Sequence, residues 1–269
     1  GLRQHSLCGP VAPVIHPQAI VDPAARLAED VVVGPWSLIG PDVEIGPGTV
    51  IESHVVIKGP TKIGAGTHIY QFSSVGEATP DLKYRGEVTW LVIGDNNVIR
   101  ESVTVHRGTA QDQGKTSIGN NNLIMAYVHV GHDCVIGDHT VLVNNCALAG
   151  HVRVGDWAIL SGFTLVHQFC QIGPHAFSGM GSAIGKDVPA YITVSGSPAQ
   201  AKTINLEGLR RRGFSSEAIG QLRRAFKILY RQGLTLDLAL QRLETTLHKT
   251  PEVQVLIDSI RASERGIVR

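Results

Sequence analysis

Counting in sixes from Ile15 lands on an aliphatic residue at every step: Val21, Leu27, Val33, Ile39, Ile45, Ile51, Ile57, Ile63, Ile69 and Val75. Four residues after each of these stands a small or β-branched residue, as at Ala19, Val31, Ser37, Thr49 and Ser73. The step breaks at residues 77–91 and resumes at Ile93 and Ile99. It breaks again near 107–117, then runs from Ile118 through Ile124, Val130, Ile136, Leu142, Leu148, Val154, Leu160 and Val166 to Ile172. Ser178 interrupts the series and Ile184 closes it.

Six is not a multiple of 3.6, so no helix keeps these residues on one face. Short parallel strands stacked as a solenoid do, with each hexad forming one flat side and one corner. The pattern therefore predicts a mainly β prism over residues 14–190, with inserted loops near 77–91 and 107–117. Residues 1–13 lie outside it as an N-terminal extension. Glycine suits the tight corners, because it tolerates positive φ.

After residue 190 the apolar spacing becomes helical, which predicts a C-terminal α-helical domain over 191–269. Ser215, Thr235 and Thr250 stand as N-caps, Pro251 at a first turn and Gly233 at a C-terminus.

The period also places residues that are far apart in sequence. Eighteen residues complete one coil and advance the chain by roughly 4.8 Å. His132, Gly150 and Gln168 then form one column along a corner. His151 and His167 flank it, and His129 lies three residues before His132. His5, His16, His54, His68, His139, His175 and His248 show no such convergence and are expected at the surface; His106 is left open.

A histidine becomes a general base when a partner fixes its tautomer, and Asp133 is the nearest orienting group. Gly150, stacked over His132, offers a backbone N–H to a developing oxyanion. Base, orienter and oxyanion donor make an acyl-transfer constellation. A metal site is the rival reading of clustered histidines, and a non-catalytic solenoid is a third. The four cysteines show no metal-type pairing. Cys134, Cys146 and Cys170 all fall at the small inward position, where a thiol packs as a hydrophobe. The run Arg210, Arg211, Arg212 is either a solvated helix face or an anion clamp. Asp81 and Lys83 are the polar candidates of the first insertion, which loops out of a rigid scaffold.

Charge and composition narrow the field. Basic and acidic residues number 24 and 23, which excludes a broad nucleic-acid surface. No apolar run is long enough for a membrane span, and the first residues lack the apolar middle of a signal peptide. A cytoplasmic location is the expectation.

The segments DLKYRGE, IRESVTVHRGT, HVGHDC, LAGHV, LVHQFC and NLEGLRRRGFS, in this order, resemble the acyl-ACP–UDP-N-acetylglucosamine O-acyltransferases of lipid A synthesis. The likeness runs from about residue 14 to the end. It implies a left-handed parallel β-helix in a homotrimer with active sites between neighbouring prisms. It implies transfer of a 3-hydroxyacyl group from acyl carrier protein to the glucosamine 3-hydroxyl of UDP-N-acetylglucosamine. No cofactor or metal is bound in this reading, because the donor arrives on the carrier's phosphopantetheine. His132 matches the base, Asp133 its orienter and Gly150 the oxyanion donor. His129, His151, His167 and Gln168 match substrate contacts, and Asp81 and Lys83 match sugar-nucleotide contacts made across the subunit boundary. Asn205, Glu207, Arg211 and Arg212 match positions serving the nucleotide or the acyl carrier. Met180 matches the acyl-chain ruler, and a thioether there predicts a 3-hydroxydecanoyl preference. The alternative within the same fold is the UDP-3-O-acylglucosamine N-acyltransferase, or another hexapeptide sugar N-acyltransferase.

Overall fold

The computed structural model describes residues 15–247 and 250–269. The extension 1–13 and His248 fall outside the described residues. Strands of mostly two residues form three sheets of nine, eight and ten strands, made by every third strand of the chain until the last two strands of the third sheet. The first sheet runs from Ile20–Val21 to Ala183–Ile184, the second from Arg26–Leu27 to Gln171–Ile172, and the third from Val32–Val33 to Gln200–Ile204. Together they form the left-handed parallel β-helix.

The register is the hexad count made visible. Ile20 pairs with Leu38 and Leu38 with Val56, eighteen residues apart. Across the first insertion the step becomes 30, and Ala65 bonds Asp95; across the second it is 25, and Asp95 bonds Asn120. The pairing then returns to 18 at Ser117↔Val135. The first excursion occupies 78–89 and the second 107–114, since strands reform at Trp90 and Lys115.

The periodic aliphatics fill the interior. Val33, Ile51, Ile57, Ile69, Ile124 and Leu148 are fully buried. Each such side chain contributes about 1.5–3 kcal/mol by leaving water. Ile15, Val21 and Leu27 keep the period but belong to the end coil, so they stay partly exposed. The small inward residues satisfy the corner backbone: Ser37 Oγ donates to the Glu52 carbonyl and accepts from Val55 N–H. Ser178, which breaks the series, is buried and bonds Thr164 Oγ1 at 2.8 Å.

The corners bear out the glycine expectation only in part: Gly48 and Gly66 hold left-handed corners with φ 71° and 62°. Other left-handed corner positions hold Trp36, His54, Phe72, Asp133, His151 and Phe169, with φ between 55° and 65°. Most glycines sit elsewhere, just after the aliphatic residue, where coils nearly touch. A Cβ on Gly34 would lie 2.7 Å from the backbone of Glu52, and one on Gly46 would lie 2.8 Å from Gly64.

The β structure also extends beyond residue 190. Ile192–Ser195 joins the third sheet in parallel and Gln200–Ile204 turns back antiparallel to it. Helices begin only at α1 (Leu206–Arg211), followed by α2 (Ser216–Arg231), α3 (Leu236–Thr246) and α4 (Pro251–Arg261). Ser215 and Thr235 accept hydrogen bonds from Ala218 and Leu238 as N-caps, and Gly233 follows the α2 cap with φ 65°. Thr250 occupies its cap position without a side-chain bond, so Pro251 alone marks that start.

Candidate active site

His132 sits at the corner between the first and second sheets, just after strand His129–Val130. Its Nδ1 lies 2.8 Å from Asp133 Oδ2. Asp133 is buried, with side-chain exposure of 1%, against 17% for His132. The carboxylate also accepts Thr109 N–H at 2.8 Å and Thr109 Oγ1–H at 2.6 Å, and its own N–H donates to Thr116 Oγ1. Burial raises the Asp133 pKa, but the bonds from His132 and Thr109 and the nearby His151 outweigh it and hold the carboxyl below its ordinary value. A buried carboxylate that remains ionised accepts Nδ1–H, so Nε2 carries the lone pair.

The column arithmetic holds at Gly150. A Cβ there would stand 2.4 Å from His132 Nε2, so the glycine backbone lies directly against the reactive nitrogen. Gly150 N–H makes no hydrogen bond among the described residues, while its neighbours Ala149 and His151 both do. An unsatisfied N–H beside the base is available to an oxyanion.

His151 meets His132 edge-on, with ring centroids 4.9 Å apart at 88°. Phe169 stacks on the other side of His151 at 4.3 Å. A cavity of about 520 Å³ opens here, lined by Asp112, His151, Arg153, Phe169, Gln171 and Arg265. His129 faces outward from its strand and bonds Thr104 Oγ1 through Nδ1 at 2.7 Å, with the His106 ring at 5.0 Å. Burial pushes His129 down to about 4, and burial likewise lowers His106.

A consequence for stability follows. Between pH 6.5 and about 4 the unfolded chain binds a proton at His129 that the folded chain refuses, so stability rises with pH in that window and falls on acidification. The slope is at most about 1.4 kcal/mol per pH unit for one histidine. Unfolding midpoints measured from pH 4.5 to 7 are expected to rise with pH, and His129→Asn to remove its share of the slope while the lowered His106 and His175 keep theirs.

The first insertion reaches the same cluster. Asp81 Oδ2 lies 3.6 Å from His132 Nε2 of its own chain. The loop therefore folds back over its own corner. Asp81 Oδ1 accepts Lys83 N–H, and Tyr84 OH donates to the Glu87 carbonyl. Arg107 ties the loop down, bonding the Gly76 carbonyl at 2.5 Å and Tyr84 OH at 3.3 Å. Lys83 itself is exposed. His167 and Gln168 lie on the His132 corner two coils farther on, exposed, with His167 bonded to the Gln168 carbonyl. Neither bonds the cluster among the described residues.

The remaining residues lie on other edges. Asn205 caps α1, accepting from Gly208 N–H and donating to the His175 carbonyl. Arg212 Nη1 donates to His175 Nδ1 at 2.8 Å and its guanidinium covers Trp157, while Arg211 pairs with Glu207 at 3.0 Å. These residues line a cleft of about 650 Å³ beside the corner between the second and third sheets. His175, expected at the surface, is half-buried there, and burial with the Arg212 charge pushes it down to about 4. Met180 projects from the third corner, 85% exposed, so it fills no gap in this chain.

Three partners escaped the sequence pattern. Thr109 and Asp112 belong to the second insertion, where no period exists to place them. Thr116 stands in the coil immediately before Asp133, at a distance of 17 residues. An insertion one coil before a candidate base was the available signal. The cysteines behave as expected: Cys134 and Cys146 are buried and pushed up to about 12, too high for a nucleophile.

The bacterial transferase hexapeptide family, in six repeats, matches residues 24–59 and 115–150, which defines a hexapeptide-repeat transferase. The family described as UDP N-acetylglucosamine O-acyltransferase, domain 2, matches residues 187–268. The acyl-[acyl-carrier-protein]–UDP-N-acetylglucosamine O-acyltransferase of Stutzerimonas stutzeri is 69% identical over 256 residues, covering 95% of this chain and 99% of that protein. The enzyme of the same name from Pseudomonas aeruginosa is 68% identical over the same span. The solved structure of LpxA from Acinetobacter baumannii superposes with a TM-score of 0.93 at 51% identity, covering 94% of this chain and 99% of that one. The chain belongs to the acyl-[acyl-carrier-protein]–UDP-N-acetylglucosamine O-acyltransferase family.

Proposed function

We propose that the protein transfers a 3-hydroxyacyl group from acyl carrier protein to the glucosamine 3-hydroxyl of UDP-N-acetylglucosamine, the first step of lipid A biosynthesis, in the cytoplasm. Family membership supports the substrates. The observation that carries the chemistry is His132, anchored by Asp133 at 2.8 Å with its Nε2 against Gly150, whose N–H is unpaired among the described residues.

In this reading His132 Nε2 takes the proton of the sugar 3-hydroxyl as the oxygen attacks the thioester carbonyl. Asp133 holds the tautomer and balances the imidazolium. Gly150 N–H receives the charge on the tetrahedral oxygen. Collapse breaks the carbon–sulfur bond, and the imidazolium returns the proton to the departing thiolate. No covalent enzyme intermediate and no resident cofactor are required.

One chain presents these parts on three different corners: the base, the arginine cleft and Met180. A cyclic homotrimer sets one corner of a prism against another corner of its neighbour, which joins the half-sites. Tyr127, Phe163, Leu165 and Met180 are exposed apolar residues on that side, and an exposed apolar patch marks an interaction surface. His167, Gln168, Lys83, Asn205, Glu207, Arg211 and Arg212 then serve substrate or carrier from either wall. No helix among the described residues is long and apolar enough to cross a membrane.

The proposal is tested by product identity. UDP-N-acetylglucosamine with a ladder of 3-hydroxyacyl carrier proteins is expected to yield the 3-O-acyl product, with the ten-carbon donor fastest. Acetyl-CoA, or 3-O-acylglucosamine nucleotide as acceptor, is expected to give none. Met180→Gly is expected to move the optimum to a longer donor, and an unchanged optimum would remove Met180 as the ruler.

One observation favours a second reading. Ligand atoms of His132, Asp133 and His151 lie within 4.8 Å of one another, a grouping that could hold a metal. The 2.8 Å separation of His132 Nδ1 and Asp133 Oδ2 is a hydrogen-bond distance, which favours the dyad.

A further inference from the structure

The second insertion interrupts the prism one coil before the base, and its Thr109 and Asp112 side chains both bond residues of the catalytic corner. Thr109 holds Asp133. Asp112, three residues later on the same turn, places Oδ2 at 2.8 Å from His151 Nδ1. The turn is closed by Asp112 N–H and Gly114 N–H, which both donate to the Thr109 carbonyl. Two side chains from one tight turn thus brace two adjacent imidazoles.

We infer that Asp112 is a positioning residue, which acts on His132 through His151. By accepting Nδ1–H it sets the His151 tautomer and the plane of the ring. Phe169, stacked on the ring at an interplanar angle of 10°, closes the remaining direction of movement. The fixed ring stands at 88° to His132 and forms one wall of the space in which His132 can turn. Asp133 at Nδ1 and the Gly150 backbone at Nε2 form the others. Without Asp112 the His151 wall swings, and His132 samples orientations that miss the acceptor hydroxyl. A misplacement of this size acts on turnover rather than on substrate affinity.

The kinetic readout rests on the proposed reaction, but the tautomer readout does not. In protein carrying ¹⁵N-histidine, with His151→Gln identifying the signal, His151 is expected in the Nδ1–H form. Asp112→Ala is expected to return it to the Nε2–H form and to lower kcat about tenfold, with KM for both substrates within twofold. Asp112→Asn retains an accepting oxygen, so it is expected to keep the parental tautomer and most of kcat. Parental kcat in Asp112→Ala, a parental tautomer in that variant, or an Asn variant as impaired as the Ala variant would each overturn the assignment.

Discussion

Replacing His132 with alanine is expected to reduce kcat roughly a thousandfold, the middle of the range for a lost general base. The fold should survive. Asp133, the buried group left behind, keeps both hydrogen bonds from Thr109, so no unpaired charge is stranded in the interior. His132 is also a corner residue whose ring contributes nothing to the aliphatic interior. KM for UDP-N-acetylglucosamine should change less than kcat, because the base acts mainly in the transition state. Unfolding midpoints of the two proteins, measured alongside the rates, separate a chemical loss from a folding loss.

Gly150→Ala is the second large effect, and it arises from one methyl group. Gly150 has an ordinary backbone conformation, so alanine meets no torsional strain at that position. The new Cβ would nevertheless stand 2.4 Å from Nε2 and 2.5 Å from Cε1 of His132. The ring cannot retreat freely, since Asp133 holds Nδ1 and His151 flanks it at 4.9 Å. Either the base is pushed off line or the Gly150 N–H is turned from the oxyanion. Loss of one such donor costs about 10²–10³ in kcat, and a comparable drop is expected here. Stability should change little, because the displaced ring lies outside the aliphatic interior, with 17% of its side chain exposed. Combined with His132→Ala, the glycine substitution should add almost no further loss, since the two residues act as a unit.

The sequence carried the prism almost completely, and the reason is physical. Each side of a two-residue strand has a single inward residue, so the period of six writes the interior directly into the chain. The same period brought Gly150 onto His132 across eighteen residues. It failed where it was interrupted. Thr109 and Asp112 lie in the second insertion, and nothing in the spacing shows that the excursion folds back onto the coil it precedes. The approach of Asp81 to His132 within one chain is equally invisible to the spacing. Positive φ accounts for Gly48 and Gly66, whereas close approach of stacked coils excludes a Cβ at Gly34 and Gly46, which the spacing does not show. The setting of His175 is hidden because its partner Arg212 comes from the C-cap of α1, outside the repeat altogether.

The central claim is acyl transfer by an aspartate-held histidine without a metal. Its most direct test is single-turnover formation of 3-O-acyl product from 3-hydroxydecanoyl carrier protein and UDP-N-acetylglucosamine, using metal-stripped protein in chelator, with parent and His132→Ala side by side. The account predicts an undiminished rate for the stripped parent and a roughly thousandfold lower one for the variant. A parent silenced by chelator and revived by a divalent metal would contradict it, as would a variant that keeps the parental rate.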